Sequence, residues 1–418
     1  MIGELKPPPR AEGRSFTVSR LRVILFQRYA DLLRVPGLRA ALAASIIGRI
    51  PIGVATLSIL LFLQARTDSF ALAGSAASLY VLGLATVAPF LGRMIDRLGP
   101  RPVLAASATI YPGMLVALVL LTLYSDRYSW VAVAAFFAGA SFPPITICMR
   151  TLYPRLMPEA GLLQSAYSVD SALVEFIFIV GPALVAAFVA MGVTLGAILF
   201  AAVCAAGGNV IFLRTPAVRD WAVHPVVGSR SLIGPLRYPR LRALFAATVL
   251  YSVAFGLYEI AVTALAANRG RPAAAGVILA LASVGSTTGA LFYGAREWGA
   301  PVQRQFLIAV ASMAAGLLLL APIPNLNAFA LVSVIACAPM APVIAAQSVL
   351  VSRLSPRDAL AESFTWGATC LLGGISAGIA AGGLLAEYLR AGWILVAAAV
   401  CALLAGAIVW RSLHEPFS

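Results

Sequence analysis

Gly92-Arg93-Met94-Ile95-Asp96-Arg97-Leu98-Gly99-Pro100-Arg101 is a short charged turn between two long apolar runs. The run before it, 71–91, and the run after it, 102–124, contain no Asp, Glu, Lys or Arg. Each has about the 20 residues needed to cross a bilayer. A charged turn between two such runs reads as a loop at a membrane face. Gly92 lets helices approach closely and Gly99 permits a sharp turn. Asp96 is suited to sit against a helix N-terminus, where negative charge is favoured.

The same alternation continues in both directions along the chain. Twelve spans are expected, at 38–63, 71–91, 102–124, 130–152, 165–189, 194–213, 241–266, 272–293, 305–323, 327–351, 359–385 and 391–411. The composition agrees: of 418 residues, 61% are apolar and 11% charged. A soluble domain carries about a quarter charged residues. The net charge of +14 is spread over short loops, not gathered into a patch or stripe, which argues against nucleic acid. With both termini cytoplasmic, 24 of the 30 Lys and Arg fall on the cytoplasmic side and five outside, and Arg49 lies within a span. That bias predicts this orientation.

The longest internal loop, 214–240, holds five arginines and four prolines and separates two groups of six spans. The expected layout is a basic arm (1–37), a six-helix bundle (38–213), a linker (214–240), a second bundle (241–411) and a tail (412–418). No cleavable signal peptide is evident; the arm reads either as lying along the membrane surface, with Arg20, Arg22, Arg28 and Arg34 in the headgroups, or as a disordered or loosely docked tail. The halves echo each other at an offset of about two hundred residues, as in many transporters built from repeats. Span four has Pro143-Pro144 before Arg150, and span ten has Pro339 and Pro342 before Arg353. Both proline pairs are expected to kink their helices.

Several function classes are excluded. No GxxxxGK[ST] loop or HExxH is present, and both histidines, His224 and His414, lie outside the spans. The five cysteines sit inside apolar runs with no CxxC pair, and read as packing residues. Neither a metal nor any other cofactor is implied.

The 92–101 turn resembles the loop 2–3 signature of the major facilitator superfamily, G-x-x-x-D-R-x-G-x-[RK]. Gly92, Asp96, Arg97, Gly99 and Arg101 match it, and Pro100 departs from the usual basic residue. Gly181-Pro182 in span five is expected to kink its helix; a kink that serves packing alone is one reading, and the other is a resemblance to the core of the antiporter motif of drug exporters. There Ile177 replaces an earlier glycine, Val185 and Ala186 replace a trailing pair, and Ala135 stands where span four usually has a basic residue. The resemblance implies an all-α membrane protein of twelve helices in two pseudo-symmetric six-helix bundles. It implies that Asp96 latches near the start of span eleven; Glu362 there reads either as a helix N-terminal cap favoured by the dipole or as a latch partner of Arg97 or Arg101. Spans one, four, seven and ten would line the cavity, making Thr146, Tyr251 and Gln347 candidates. The corresponding loop, Gly294-Ala295-Arg296-Glu297-Trp298-Gly299, is degenerate and reads as a trace of duplication. Gly374, Gly378 and Gly382 in span eleven, with Gly285 and Gly289 in span eight, are small-residue stripes on spans that the resemblance places between the halves.

Ionisable groups within spans need a reason, since each costs at least about 2.5–3.5 kcal/mol to insert. Arg49, Asp170, Glu175 and Glu259 are the candidates. Asp170 and Glu175 are five residues apart, about 140° around the helix, and face different ways. The expectation is an Arg49–Glu175 ion pair, with Glu175 alternating between Arg49 and a proton. Glu259 suits a cationic substrate group, a proton or a place in an outer gate.

The resemblance then implies a bacterial secondary transporter of the drug and metabolite exporter type, with a lysine-poor, alanine-rich, actinobacterial-like composition. It would sit in the inner membrane as a monomer, with a small-molecule substrate and the lipid bilayer as partners. Alternating access and export driven by the proton gradient form the leading reading. Proton symport of a metabolite or organic anion is the second, with Arg49 favouring an anion. A non-transporting sensor or assembly protein is the third.

Overall fold

The computed structural model describes residues 27–125, 127–157, 159–221, 234–271 and 274–412. Most of the basic arm, most of the linker, and the tail with His414 lie outside the described residues, as do Arg20, Arg22, His224 and Arg230. Among the described residues, twelve helices are long and apolar enough to span a membrane: α1 Leu38–Thr67, α2 Leu72–Leu98, α3 Pro100–Tyr124, α4 Tyr128–Leu156, α5 Gly161–Ala190, α6 Thr194–Arg214, α7 Pro239–Asn268, α8 Ala274–Ala295, α9 Val302–Leu320, α10 Leu326–Leu354, α11 Arg357–Tyr388 and α12 Ala391–Ser412. They match the expected spans in number and order. They run a few residues longer at many ends, because a helix does not stop where the hydrocarbon does. Large apolar side chains such as Trp130, Phe137, Leu331, Ile335 and Trp393 are exposed on the outside, as a lipid-facing surface requires.

Two helices are interrupted. In α4 the helix stops at Ala140 and resumes at Ile145, with Pro143 and Pro144 in the gap. In α10 it stops at Ala336 and resumes at Met340, just after Pro339. Proline lacks the N–H that would continue the ladder and crowds the preceding turn. The breaks therefore fall at equivalent places in the two halves.

Within each half, glycines let backbones touch. A Cβ on Gly181 of α5 would lie 2.5 Å from the carbonyl group of Gly53 on α1. In the second half, a Cβ on Gly256 of α7 would lie 2.9 Å from the carbonyl carbon of Gly378 on α11. These are the same crossing, repeated. Gly181 therefore serves helix contact, and α5 runs on as one helix through Pro182. The glycine stripes also turn out differently from expectation. Gly374 and Gly378 press on the Val249 and Val253 carbonyls of α7, and Gly285 and Gly289 on the Val334 and Ala338 carbonyls of α10. Their close approaches stabilise a bundle internally, and the two halves meet through other residues. Gly181→Ala overpacks the α1–α5 crossing. It is expected to cost about 1–3 kcal/mol, seen as a lower unfolding temperature of the purified protein in detergent.

The halves meet along α2–α11, α5–α8, α5–α10 and α4–α11. The α2–α3, α4–α5, α8–α9 and α10–α11 loops share one end of the molecule, the gate end.

Candidate functional site

A buried charge cluster ties α1, α4 and α5 together. Arg49 Nη2 lies 2.6 Å from Asp170 Oδ1, and Arg150 Nε lies 2.7 Å from Asp170 Oδ2. Tyr153 Oη also donates to Asp170 Oδ1, at 3.2 Å. Arg49 and Asp170 are almost fully buried. The expected Arg49–Glu175 pair is thus replaced by an Arg49–Asp170 pair. The reason is direction: helix side chains lean toward the helix N-terminus. Arg49 therefore leans toward the gate end, where Asp170 lies on the face of α5 turned to α1 and α4. Glu175, on another face, turns to α8.

The second half has no charge at the matching place. Gln347 lies 197 residues after Arg150, and Gly367 lies 197 after Asp170. Tyr251 Oη donates to Gln347 Oε1 at 2.7 Å in that buried position. Tyr251 and Gln347 are thus bonded to each other. Thr146 is half-buried just past the α4 break.

At the gate end, the Asp96 carboxylate bridges the halves. It accepts from the backbone N–H of Ala361 at 3.0 Å and of Glu362 at 2.8 Å, at the start of α11. Those N–H groups have no partner within their own helix, and the dipole there favours a carboxylate. Glu362 is fully buried and pairs with Arg93, Nη2 to Oε1 at 2.6 Å. This corrects the expectation for Arg97 and Arg101. Arg97 is exposed, and Arg101 donates to the Arg219 carbonyl at 3.0 Å. Arg93 lies one helical turn before Asp96 or Arg97, and so shares Asp96's side of α2. Gly92 admits α11: a Cβ there would lie 2.9 Å from the Ala361 carbonyl oxygen.

The second-half loop, read from sequence as only a trace, also joins the halves. Gln164 Nε2 donates to the Tyr293 carbonyl at 2.9 Å, and Ser165 Oγ donates to that of Gly294. From the arm, Arg28 pairs with Glu297, and Tyr29 Oη donates to the Leu291 carbonyl. Arg28 is therefore engaged with the second half, and Arg34, still largely exposed, pairs with Asp31 at 2.9 Å. Motif matching missed this junction because its bonds go to carbonyls, which any residue supplies.

Beyond the gate a cavity of about 500 Å³ opens between the halves. Its lining includes Glu175 and Phe178 of α5, Phe255, Tyr258 and Glu259 of α7, and Ser286 of α8. Ser286 Oγ donates to Glu175 Oε1 at 3.1 Å and accepts from the Ala341 backbone N–H at 3.0 Å. Arg49, Thr146, Tyr251 and Gln347 are not among its lining residues. A second cavity, of about 570 Å³, lies wholly within the second half, between the ends of α7, α9, α10 and α12.

The family model for the Major Facilitator Superfamily matches residues 41–295. An uncharacterized MFS-type transporter, y4rN of Sinorhizobium fredii (strain NBRC 101917 / NGR234), is 27% identical over 280 residues, covering 64% of this chain and 68% of that one. A bacterial homologue of the iron transporter ferroportin, solved in an outward-facing state, superposes with a TM-score of 0.75 at 13% identity, covering 90% and 99% of the two chains. The E. coli fucose:proton symporter FucP gives a TM-score of 0.68 at 12% identity, covering 90% and 98%. At those identities the solved structures show the fold alone. Twelve helices in two echoed halves, joined at a loop 2–3 latch, and the family match together make this chain a transporter of the major facilitator superfamily.

Proposed function

We propose that this transporter exports small amphipathic organic compounds in exchange for protons, by alternating access. In this reading both termini face the cytoplasm, and the closed gate end is the cytoplasmic one. The cavity then opens outward.

The observation that carries the coupling is the setting of Glu175. It lines the cavity, where protons can reach it from water. It also sits on the α5–α8 contact, which must change when the halves rock. Its bonded partners there are the Ser286 and Ser283 hydroxyls, neutral groups. Protonation therefore changes the charge of the interface itself. Asp170 is a poorer carrier, being held by two arginines in a sealed place.

The test is accumulation of labelled drugs and metabolites in an efflux-deficient bacterium with and without the protein. Export predicts lower accumulation, reversed by a proton uncoupler. Glu175→Gln should return accumulation to the control level at equal protein abundance. Higher accumulation in the presence of the protein would make it an importer. Undiminished export by Glu175→Gln would remove the coupling role.

A further inference from the structure

The cavity holds an imbalance of charge. Glu175 and Glu259 both line it, and no arginine, lysine or histidine is among its lining residues. Neither carboxylate makes a salt bridge among the described residues. Glu259 has no hydrogen-bond donor there, and Glu175 is bonded to serine hydroxyls. This contrasts with Asp170 and Glu362, the fully buried carboxylates, which both have arginine partners. Glu259 is exposed and Glu175 half-buried, so two carboxylates give this cavity a negative lining with no basic residue to offset it. A cation is the electrostatic complement of such a lining.

The rest of the lining narrows its chemistry. Phe178, Phe255 and Tyr258 bring aromatic surface from two helices of opposite halves, and Ile179, Leu279 and Met340 add apolar surface. Aromatic faces attract cations. A volume of about 500 Å³ is that of a pocket for a drug-sized molecule. A bare metal ion would want several converging oxygen ligands, and no group of three His, Cys, Asp or Glu gathers among the described residues.

We propose that this cavity binds an amphipathic organic cation, its charge held by Glu259 and Glu175 and its apolar body resting on Phe178, Phe255 and Tyr258. The proposal deepens the transport reading above by naming a substrate class. Because α5 belongs to one half and α7 and α8 to the other, such a ligand would touch both.

Binding to the purified full-length protein in detergent tests this without any ion gradient. The probes, each alone, are tetraphenylphosphonium, tetraphenylborate of the same shape and opposite charge, and neutral triphenylphosphine oxide. Saturable binding of the phosphonium is expected, at least tenfold tighter than that of the borate or the oxide. Glu259→Gln should weaken it about tenfold or more, and Glu259→Asp should recover part of the loss. Gel filtration of each variant separates lost binding from lost fold, and Phe255→Leu supplies a second variant, expected to weaken binding several-fold. Equal binding of the borate, no saturable phosphonium binding, or unchanged affinity in Glu259→Gln would each overturn the proposal. So would saturable Mn²⁺ binding that needs Glu259 in place of phosphonium binding. Because the readout is binding, its failure leaves export untouched, and failure of export leaves a positive binding result standing.

Discussion

Asp170→Ala is expected to be the most damaging single substitution in the first half, costing about 3–5 kcal/mol of stability. The carboxylate answers two arginines from two other helices, Arg49 on α1 and Arg150 on α4. Arg49 is 1% exposed and stays charged at any ordinary pH. Removing its partner leaves a cation in a space closed to water, which is the expensive way to break an ion pair. Arg150 keeps 12% of its side-chain exposure and lies closer to the gate end, so it can shift its charge toward solvent. The damage therefore comes mainly from Arg49. Arg49→Met combined with Asp170→Ala should recover a large part of the loss, because the stranded charge is gone. The measurement is thermal unfolding of the purified variants, read beside their gel-filtration profiles. A single variant as stable as the unaltered protein would mean that water or another group already solvates Arg49.

The contrast with Glu175 shows what the sequence could and could not reveal. Hydropathy placed twelve spans, because a charge-free run of bilayer length is seldom anything but a membrane helix. The duplicated proline breaks were legible too, since proline acts on its own backbone. The fact that Asp170 and Glu175 face different ways followed from helical geometry. Which of them meets Arg49 did not. That depends on how α5 is turned about its axis, and the Gly53–Gly181 crossing sets that turn. A one-dimensional pattern contains the two glycines but not their meeting. The gate shows the same limit. The motif singled out Asp96, Arg97 and Arg101, while the cation on Glu362 is Arg93, a position the motif leaves open. The cavity was the least legible part. Glu175 and Glu259 were visible as costly residues, but Phe178, Phe255 and Tyr258 were three aromatics among many. Only the packing of α5, α7 and α8 brings them to one space.

Asp96→Asn is expected to open the gate end. The carboxylate accepts two N–H groups at the first turn of α11, and both oxygens are used. An asparagine offers one acceptor and turns an N–H₂ toward the other donor. It also removes a full negative charge from a helix N-terminus, where such charge is worth about 0.3–1 kcal/mol or more. Charge-assisted hydrogen bonds contribute about 1.5–3 kcal/mol each. Losing one of them shifts the ratio of closed to open forms by roughly ten- to a hundredfold. The Arg93–Glu362 pair beside it, also between the halves, does not replace it, because it uses the Glu362 side chain and leaves the backbone donors unmet. Gly92→Val should act in the same direction by sterics, since even a Cβ there crowds the Ala361 carbonyl. Spin labels at Glu159→Cys and Arg304→Cys, exposed positions at the gate end of opposite halves, report the change as a distance. In the otherwise unaltered protein, with its native cysteines replaced, a short distance should dominate, and Asp96→Asn should add a longer one. If the distribution is the same in both, the Asp96 bridge does not hold the gate, and the remaining contacts between the halves, the Arg93–Glu362 pair and the carbonyl bonds from Gln164 and Ser165 among them, keep that end shut.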